Sequence, residues 1–191
     1  MSKFTYESQL SECKTELTYN SYFENEPCVN KKIEGTLAKR RIALQLILSD
    51  IYECNDALNL ISQNINANHC SFVYKSFVVT YGKCFASAAT RGLSLQAKDI
   101  FKQQPELLSQ HHCLIKTRNK YIAHSDSEVF ESSEVYLVES ASEHEFFVPT
   151  LKFGFPTGNS IKQELDLVLY VYEQIKNQIK KVESKLAAQY A

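Results

Sequence analysis

The strongest constraint on the fold lies near the end of the chain. Ile161, Leu165, Val168, Tyr172, Ile175, Ile179, Val182 and Leu186 recur at strictly alternating spacings of four and three. That spacing draws one apolar stripe down a helix, and a helix with one apolar stripe must bury it against other elements. Ser160 and Gln163 offer a capping box at its start. Lys176, Lys180, Lys181 and Lys185 gather toward its end, where the helix dipole favours cations.

The same period recurs upstream. Over residues 34–65, Ile47, Ile51, Cys54, Leu58, Ile61 and Ile65 form a second stripe, which "NANH" at 66–69 interrupts. A helix is expected from Ser71 to Ala89, with Val73, Phe77, Cys84 and Ala88 on one side and Gly92 as its stop signal. Ser94 can cap a short helix through Phe101, and Pro105 opens a helix running to His124. The period then changes. "EVYLVES" and "EFFVPTLKF", separated by "ASEH", read as a β-hairpin over 134–153. Its apolar residues imply packing on the helices or a place near a dimer interface, because an isolated hairpin is marginal. Residues 1–32 form an arm with an amphipathic helix expected over Phe4–Leu17. The expectation is one mainly α domain over 1–191: an antiparallel helical bundle with a small β-hairpin inserted before the last helix.

Composition narrows the function. The chain has 191 residues, 44% of them hydrophobic, enough for a substantial core. With 21 basic and 22 acidic side chains the formal net charge is −1, so any nucleic-acid contact must come from a local basic patch. The densest is "AKRR", Ala38 to Arg41, downstream of Lys31 and Lys32; a solvated helix face is its commoner meaning, as for Arg91 and Lys98. Six cysteines lack C-x-x-C spacing, and "MSKFTYESQL" lacks an apolar leader core, which suggests reduced thiols and a cytoplasmic protein. No apolar run reaches membrane-span length. Only five glycines are present, and no phosphate-binding glycine loop, nucleophile elbow or zinc spacing occurs.

The chemistry concentrates in "CLIKTRNKYIAHSDSE", residues 113–128. On an ideal helix, Leu107, His111, Leu114, Ile115, Tyr121 and Ile122 fall within about 60° of Arg118. A guanidinium on such a face must snorkel, pair with a carboxylate such as Asp50 or Glu53, or serve an anionic ligand. Asn119 lies about 100° to one side and His124 about 120° to the other. His124 can cap the helix end or move a proton near neutral pH. Together, Arg118, Asn119 and His124 supply a charge clamp, a neutral hydrogen bond and an acid–base group, the parts needed to cleave a phosphodiester without a metal. One helix does not bring Arg118 and His124 to one face; a two-fold dimer would. His111 faces the arginine's side and can assist binding, although a core histidine is commoner. His111 and His112, being adjacent, diverge by about 100° and make no metal site.

"RNKYIAHSD" resembles the HEPN superfamily, whose ribonuclease members carry an arginine, a polar residue, a few further positions and then a histidine near the end of a bundle helix. The resemblance implies a helical dimer with the motif at its interface. It implies metal-independent RNA cleavage in a toxin or phage-defence setting, with Arg118, Asn119 and His124 as catalytic residues. Lys120, Tyr121 and His111 would bind substrate. It implies no cofactor and allows an antitoxin partner protein. Some members carry a tyrosine two positions after the histidine as a modification target; here that position is Asp126. Other members keep the fold without nuclease activity, so the alternative is a non-catalytic module that binds a partner protein or a nucleotide.

Overall fold

The computed structural model describes residues 3–10, 17–63, 67–87, 91–119, 131–133, 135–139, 143–152 and 159–190. The chain divides into two compact units, 1–38 and 39–191.

The first unit corrects the expected N-terminal helix. Strands β1 (Phe4–Leu10), β2 (Leu17–Phe23) and β3 (Glu26–Cys28) form an antiparallel sheet in that order. The signal for strands is the aromatic and β-branched alternation of "FTYESQL" and "LTYNSYF". The β2–β3 connection is a two-residue turn with Phe23 opposite Glu26. Glu24 and Asn25 both take positive φ, 51° and 73°, as the primed hairpin turns require.

The second unit is mainly α. Its helices are α1 (Thr36–Ser62, which begins at the boundary), α2 (Ala67–Phe85), the single turn α3 (Ala97–Ile100), α4 (Pro105–Thr117) and α5 (Asn159–Tyr190). Helix α1 buries Ile47, Ile51, Cys54, Leu58 and Ile61, as its stripe requires. In α5, Ile161, Val168, Ile175, Ile179 and Val182 are buried, with Leu165, Tyr172 and Leu186 partly so. Helix α2 starts inside "NANH" and buries Cys70, Tyr74, Phe77, Tyr81 and Cys84, again four-three spaced. Both tyrosines belong to the core, which the apolar pattern alone did not indicate. Pro105 opens α4 as expected. Two caps differ: α3 is preceded by Gln96 with no side-chain cap, and Ser160 sits inside α5.

Side-chain contacts set the helix directions. Lys83 Nζ lies 2.9 Å from Asp50 Oδ1, and Cys54 Sγ reaches the Phe77 carbonyl at 3.8 Å, so α2 runs antiparallel to α1. Arg41 meets Glu183 at 2.8 Å and the Tyr52 and Tyr172 hydroxyls meet at 3.2 Å, so α5 also runs antiparallel to α1. Among the described residues no helix is long and apolar enough to cross a membrane.

Between α4 and α5 lies one ribbon. Strands β4 (Glu131–Ser133) and β7 (Thr150–Lys152) pair, as do β5 (Tyr136–Glu139) and β6 (His144–Phe147). The two ladders share a register, with Ser133 opposite Thr150 and Tyr136 opposite Phe147. Pro149 interrupts them because it has no N–H to give. Contrary to the expected packing on the helices, Val135 to Val138 and Phe146 to Val148 are 48–68% exposed.

The α2 tyrosines each engage a titratable partner. Tyr74 donates to Glu164 Oε1 at 2.7 Å, while Glu164 Oε2 is buried without a partner. Burial pushes the Glu164 carboxyl up from 4.5 to about 7. Tyr81 meets His111 Nδ1 at 3.0 Å, and burial, then the neighbouring His112, lowers the His111 imidazole from 6.5 to about 4. These shifts predict opposing pH slopes. As pH rises from 4.5 toward 7, the unfolded chain releases the Glu164 proton first, so stability falls. As pH drops from 6.5 toward 4, the unfolded chain protonates the histidine that the folded chain keeps neutral, so stability falls in that direction instead. Urea midpoints between pH 4.5 and 6.5 should therefore rise with pH in Glu164→Gln and fall with pH in His111→Asn, with the wild type flatter than either.

Candidate functional site

Arg118 follows the last α-helical residue of α4 and, with Asn119, winds in a wider π-type turn. The ideal-helix angle for Asn119 therefore does not hold. Lys120, Tyr121 and His124 lie outside the described residues, so among the expected site residues the structure places Arg118, Asn119 and His111.

Arg118 is half-buried, at the end of the face that buries His111, Leu114 and Thr117. Its stem crosses α2 at Gly82. A Cβ on Gly82 would overlap the Arg118 Cδ and lie 2.9 Å from Nε. Glycine inside a helix costs up to about 1 kcal/mol relative to alanine. Here its missing side chain is the groove that seats the arginine, a role that nothing in the local sequence announces.

Neither expected carboxylate holds Arg118. Asp50, 5% exposed, is taken by two other cations. One is Lys83; the other is Arg91, whose Nη1 lies 2.7 Å from Asp50 Oδ2 in an ion pair outside hydrogen-bond geometry. Arg91, with a side chain 11% exposed, is thus a buried structural partner rather than a solvated surface charge. Among the described ion pairs none involves Arg118. Its Nη1 donates instead to Asn119 Oδ1 at 2.9 Å. That bond orients the planar fork, and no carboxylate among the described residues neutralises its charge.

Arg118 and Asn119 line a cavity of about 300 Å³ with His111, Ile115, Gly82, Phe85, Ala86 and the Leu95–Ala97 segment. That segment is fixed to α2 by the Leu95 N–H to Cys84 carbonyl bond, 3.0 Å, and the following turn is held by Tyr170, whose hydroxyl donates to the Ile100 carbonyl at 3.2 Å. The walls are therefore tied to the helices. His111 sits among aromatic rings, with Phe85 and Phe101 centroids at 4.3 and 5.2 Å. Burial holds the Tyr81 hydroxyl well above 10, so it stays a neutral phenol, and its bond to Nδ1 occupies one nitrogen of the neutral imidazole and leaves Nε2 as the other polar atom. His111 can offer a neutral N–H, but it is not a group that changes charge near neutral pH. The arrangement offers hydrogen-bonding groups and, among the described residues, a cation without a carboxylate partner. It suits an anion, or a ligand with a phosphate and carbonyl acceptors.

Two further titratable side chains, Cys54 and Cys84, do not line this cavity. Cys54 and Cys84 are buried thiols, with Cys84 pushed up to about 12 by burial, so neither is a ready nucleophile.

The seat on α2 makes a double-variant prediction. Gly82→Ala should displace Arg118 in the wild type, offsetting the helix-propensity gain of about 1 kcal/mol. In an Arg118→Ala background the same change should show that gain in full. Equal effects in both backgrounds, by denaturant unfolding, would mean that Arg118 does not lie over Gly82 in solution. No family model matches the chain, and no curated protein or solved structure matches it significantly, so the site is interpreted from its own geometry.

Proposed function

We propose that the chain is a HEPN-like, metal-independent endoribonuclease acting as a homodimer in a toxin or phage-defence role. The observation that supports this is Arg118, seated over Gly82, held by Asn119, lining the cavity and without a carboxylate partner among the described residues. A charge lacking a carboxylate partner in a half-buried place is what an anionic substrate would complete.

In this mechanism Arg118 holds the scissile phosphate and stabilises the charge that builds on its oxygens. Asn119 keeps the fork in plane. The ribose 2′-oxygen attacks the adjacent phosphorus, the new O2′–P bond forms and the P–O5′ bond breaks. The 2′-hydroxyl proton passes to a base and the departing 5′-oxygen receives a proton. His124 supplies this acid–base chemistry. Two copies at a two-fold would provide one histidine for each role. Lys120 and Tyr121 would contact the substrate, and His111 would give it a neutral hydrogen bond. An antitoxin partner would act by covering this face. The cavity equally suits a second reading, a module that binds a nucleotide at Arg118 without cutting it.

Cleavage of total RNA decides between them. The nuclease should cut with or without chelator and spare a substrate that is 2′-deoxy at the cleavage position. His124→Ala and Arg118→Ala should each lower the rate by roughly 10²–10⁴-fold with the fold intact. Wild-type protein that cuts nothing, or cuts only with magnesium, would leave the binding module as the reading.

A further inference from the structure

Two basic runs far apart in sequence meet in the fold. The first half of α1 carries Lys39, Arg40 and Arg41 and no acid before Asp50. The second half of α5 carries Lys176, Lys180, Lys181 and Lys185 against one acid, Glu183. The Arg41–Glu183 ion pair at 2.8 Å places them side by side. Seven cations and one carboxylate thus share one end of the α1–α5 pair, in a chain whose net charge is −1. Asp50 is level with Lys83, one residue from the Gly82 seat of Arg118, and α1 runs on past that level for fourteen residues, from Asp50 back to Thr36. The basic end of α1 therefore begins beyond the level at which Arg118 crosses α2.

Folding alone does not explain these charges. The α1 cations lie within two turns of the helix N-terminus, the positive end of its dipole, and no acid sits in that first turn. The α5 lysines do not answer the dipole either, contrary to the expectation from sequence. The helix continues to Tyr190, its last turn holds no cation, and the dipole acts mainly within that turn. Lys176 with Lys180, and Lys181 with Lys185, are like-charge pairs at i, i+4, which destabilise a helix. Among the described ion pairs only Arg41 of the seven cations has a carboxylate. Lys176 instead lies 5.3 Å over the Tyr172 ring, beside the Tyr52–Tyr172 pair that borders an α1–α5 groove.

We infer that this basic end is the track for the phosphate backbone of a single-stranded RNA, which it delivers toward the Arg118 cavity. The choice of RNA as the polyanion rests on the ribonuclease reading. A flexible single strand fits cations that fan around two helices, whereas a rigid duplex would meet only one side. Tyr52, exposed and braced edge-on by the half-buried Tyr172, adds a stacking surface that acidic lipid would not use. Between the α5 lysines, Ile179 and Val182 are buried in the core and the others are the polar Asn177, Gln178, Glu183 and Ser184, not the apolar wedge of a membrane-binding helix.

The probe is a labelled 2′-O-methyl single-stranded RNA, which cannot be cut, titrated by fluorescence anisotropy across salt concentrations. Each neutralised phosphate adds about 0.7 to the slope of log affinity against log salt for a single strand. Lys180→Glu/Lys181→Glu should lower affinity by about tenfold or more at low salt and reduce the slope by about 1.4. The charge-matched control Lys102→Glu/Lys162→Glu should do neither. Lys180→Gln/Lys181→Gln repeats the test with less charge change, and its thermal midpoint without RNA should not fall, since it removes like-charge repulsion. Equal losses in both charge-reversed doubles, absence of RNA binding by wild type, or binding to phosphatidylserine vesicles but not RNA would overturn the inference. Arg118→Ala should still bind the probe. If wild type binds it through these lysines yet cuts no RNA, the nuclease reading falls and the track stands. If wild type cuts RNA but Lys180→Glu/Lys181→Glu leaves KM for a long RNA unchanged, the track falls and the nuclease stands.

Discussion

The buried carboxylate of Asp50 organises the charges around the site. It faces the α1–α2 contact and takes Lys83 from α2 and Arg91 from the segment beyond it. Removing Asp50 would leave the nearly buried Arg91 guanidinium without its carboxylate, and breaking a buried pair in that way costs about 3–5 kcal/mol. With Asp50 committed, Arg118 has no carboxylate within reach among the described residues. Its position is decided by shape instead, through the gap at Gly82 and the bond to Asn119. The two arginines thus differ: Arg91 is held by a carboxylate of the core, and Arg118 has none among the described residues.

The surroundings favour that division. The cavity is walled by aromatic and small side chains tied to α2, α4 and α5, so the arginine has a fixed partner surface rather than a mobile loop. His111 could have competed as a second charge. Its burial among aromatic rings, and then the neighbouring His112, keep it neutral, so it does not repel the guanidinium. An oriented cation in a partly dry site acts more strongly on an anion than the same group in water.

The helices were legible wherever one apolar stripe faced one core. Residues such as Ile47, Ile51, Ile175 and Ile179 announced α1 and α5 through spacing alone. Tyr74 and Tyr81 were less visible, since a tyrosine reads equally as surface or core until its hydroxyl finds Glu164 or His111. The N-terminal segment failed for a related reason. Phe4, Tyr6 and Leu10 satisfy loose helical spacing as well as strand alternation, and pairing with β2 settled the matter. Within the site, the motif pointed to Arg118 and Asn119. It did not reveal Gly82 or the Asp50–Arg91 pair, because those depend on which distant helices meet. Likewise, the two lysine and arginine runs look like ordinary solvated faces until α1 and α5 are laid side by side.

The central claim is that Arg118 is an uncommitted cation poised for a phosphate, while Arg91 is not. Side-chain Nε–Hε NMR resonances of the arginines, assigned with Arg118→Lys and Arg91→Lys, report on each guanidinium directly. Titration with an uncleavable 2′-O-methyl RNA dinucleotide should shift the Arg118 resonance saturably and leave that of Arg91 in place. An Arg118 resonance that does not move, with the dinucleotide bound elsewhere or not at all, would contradict the account.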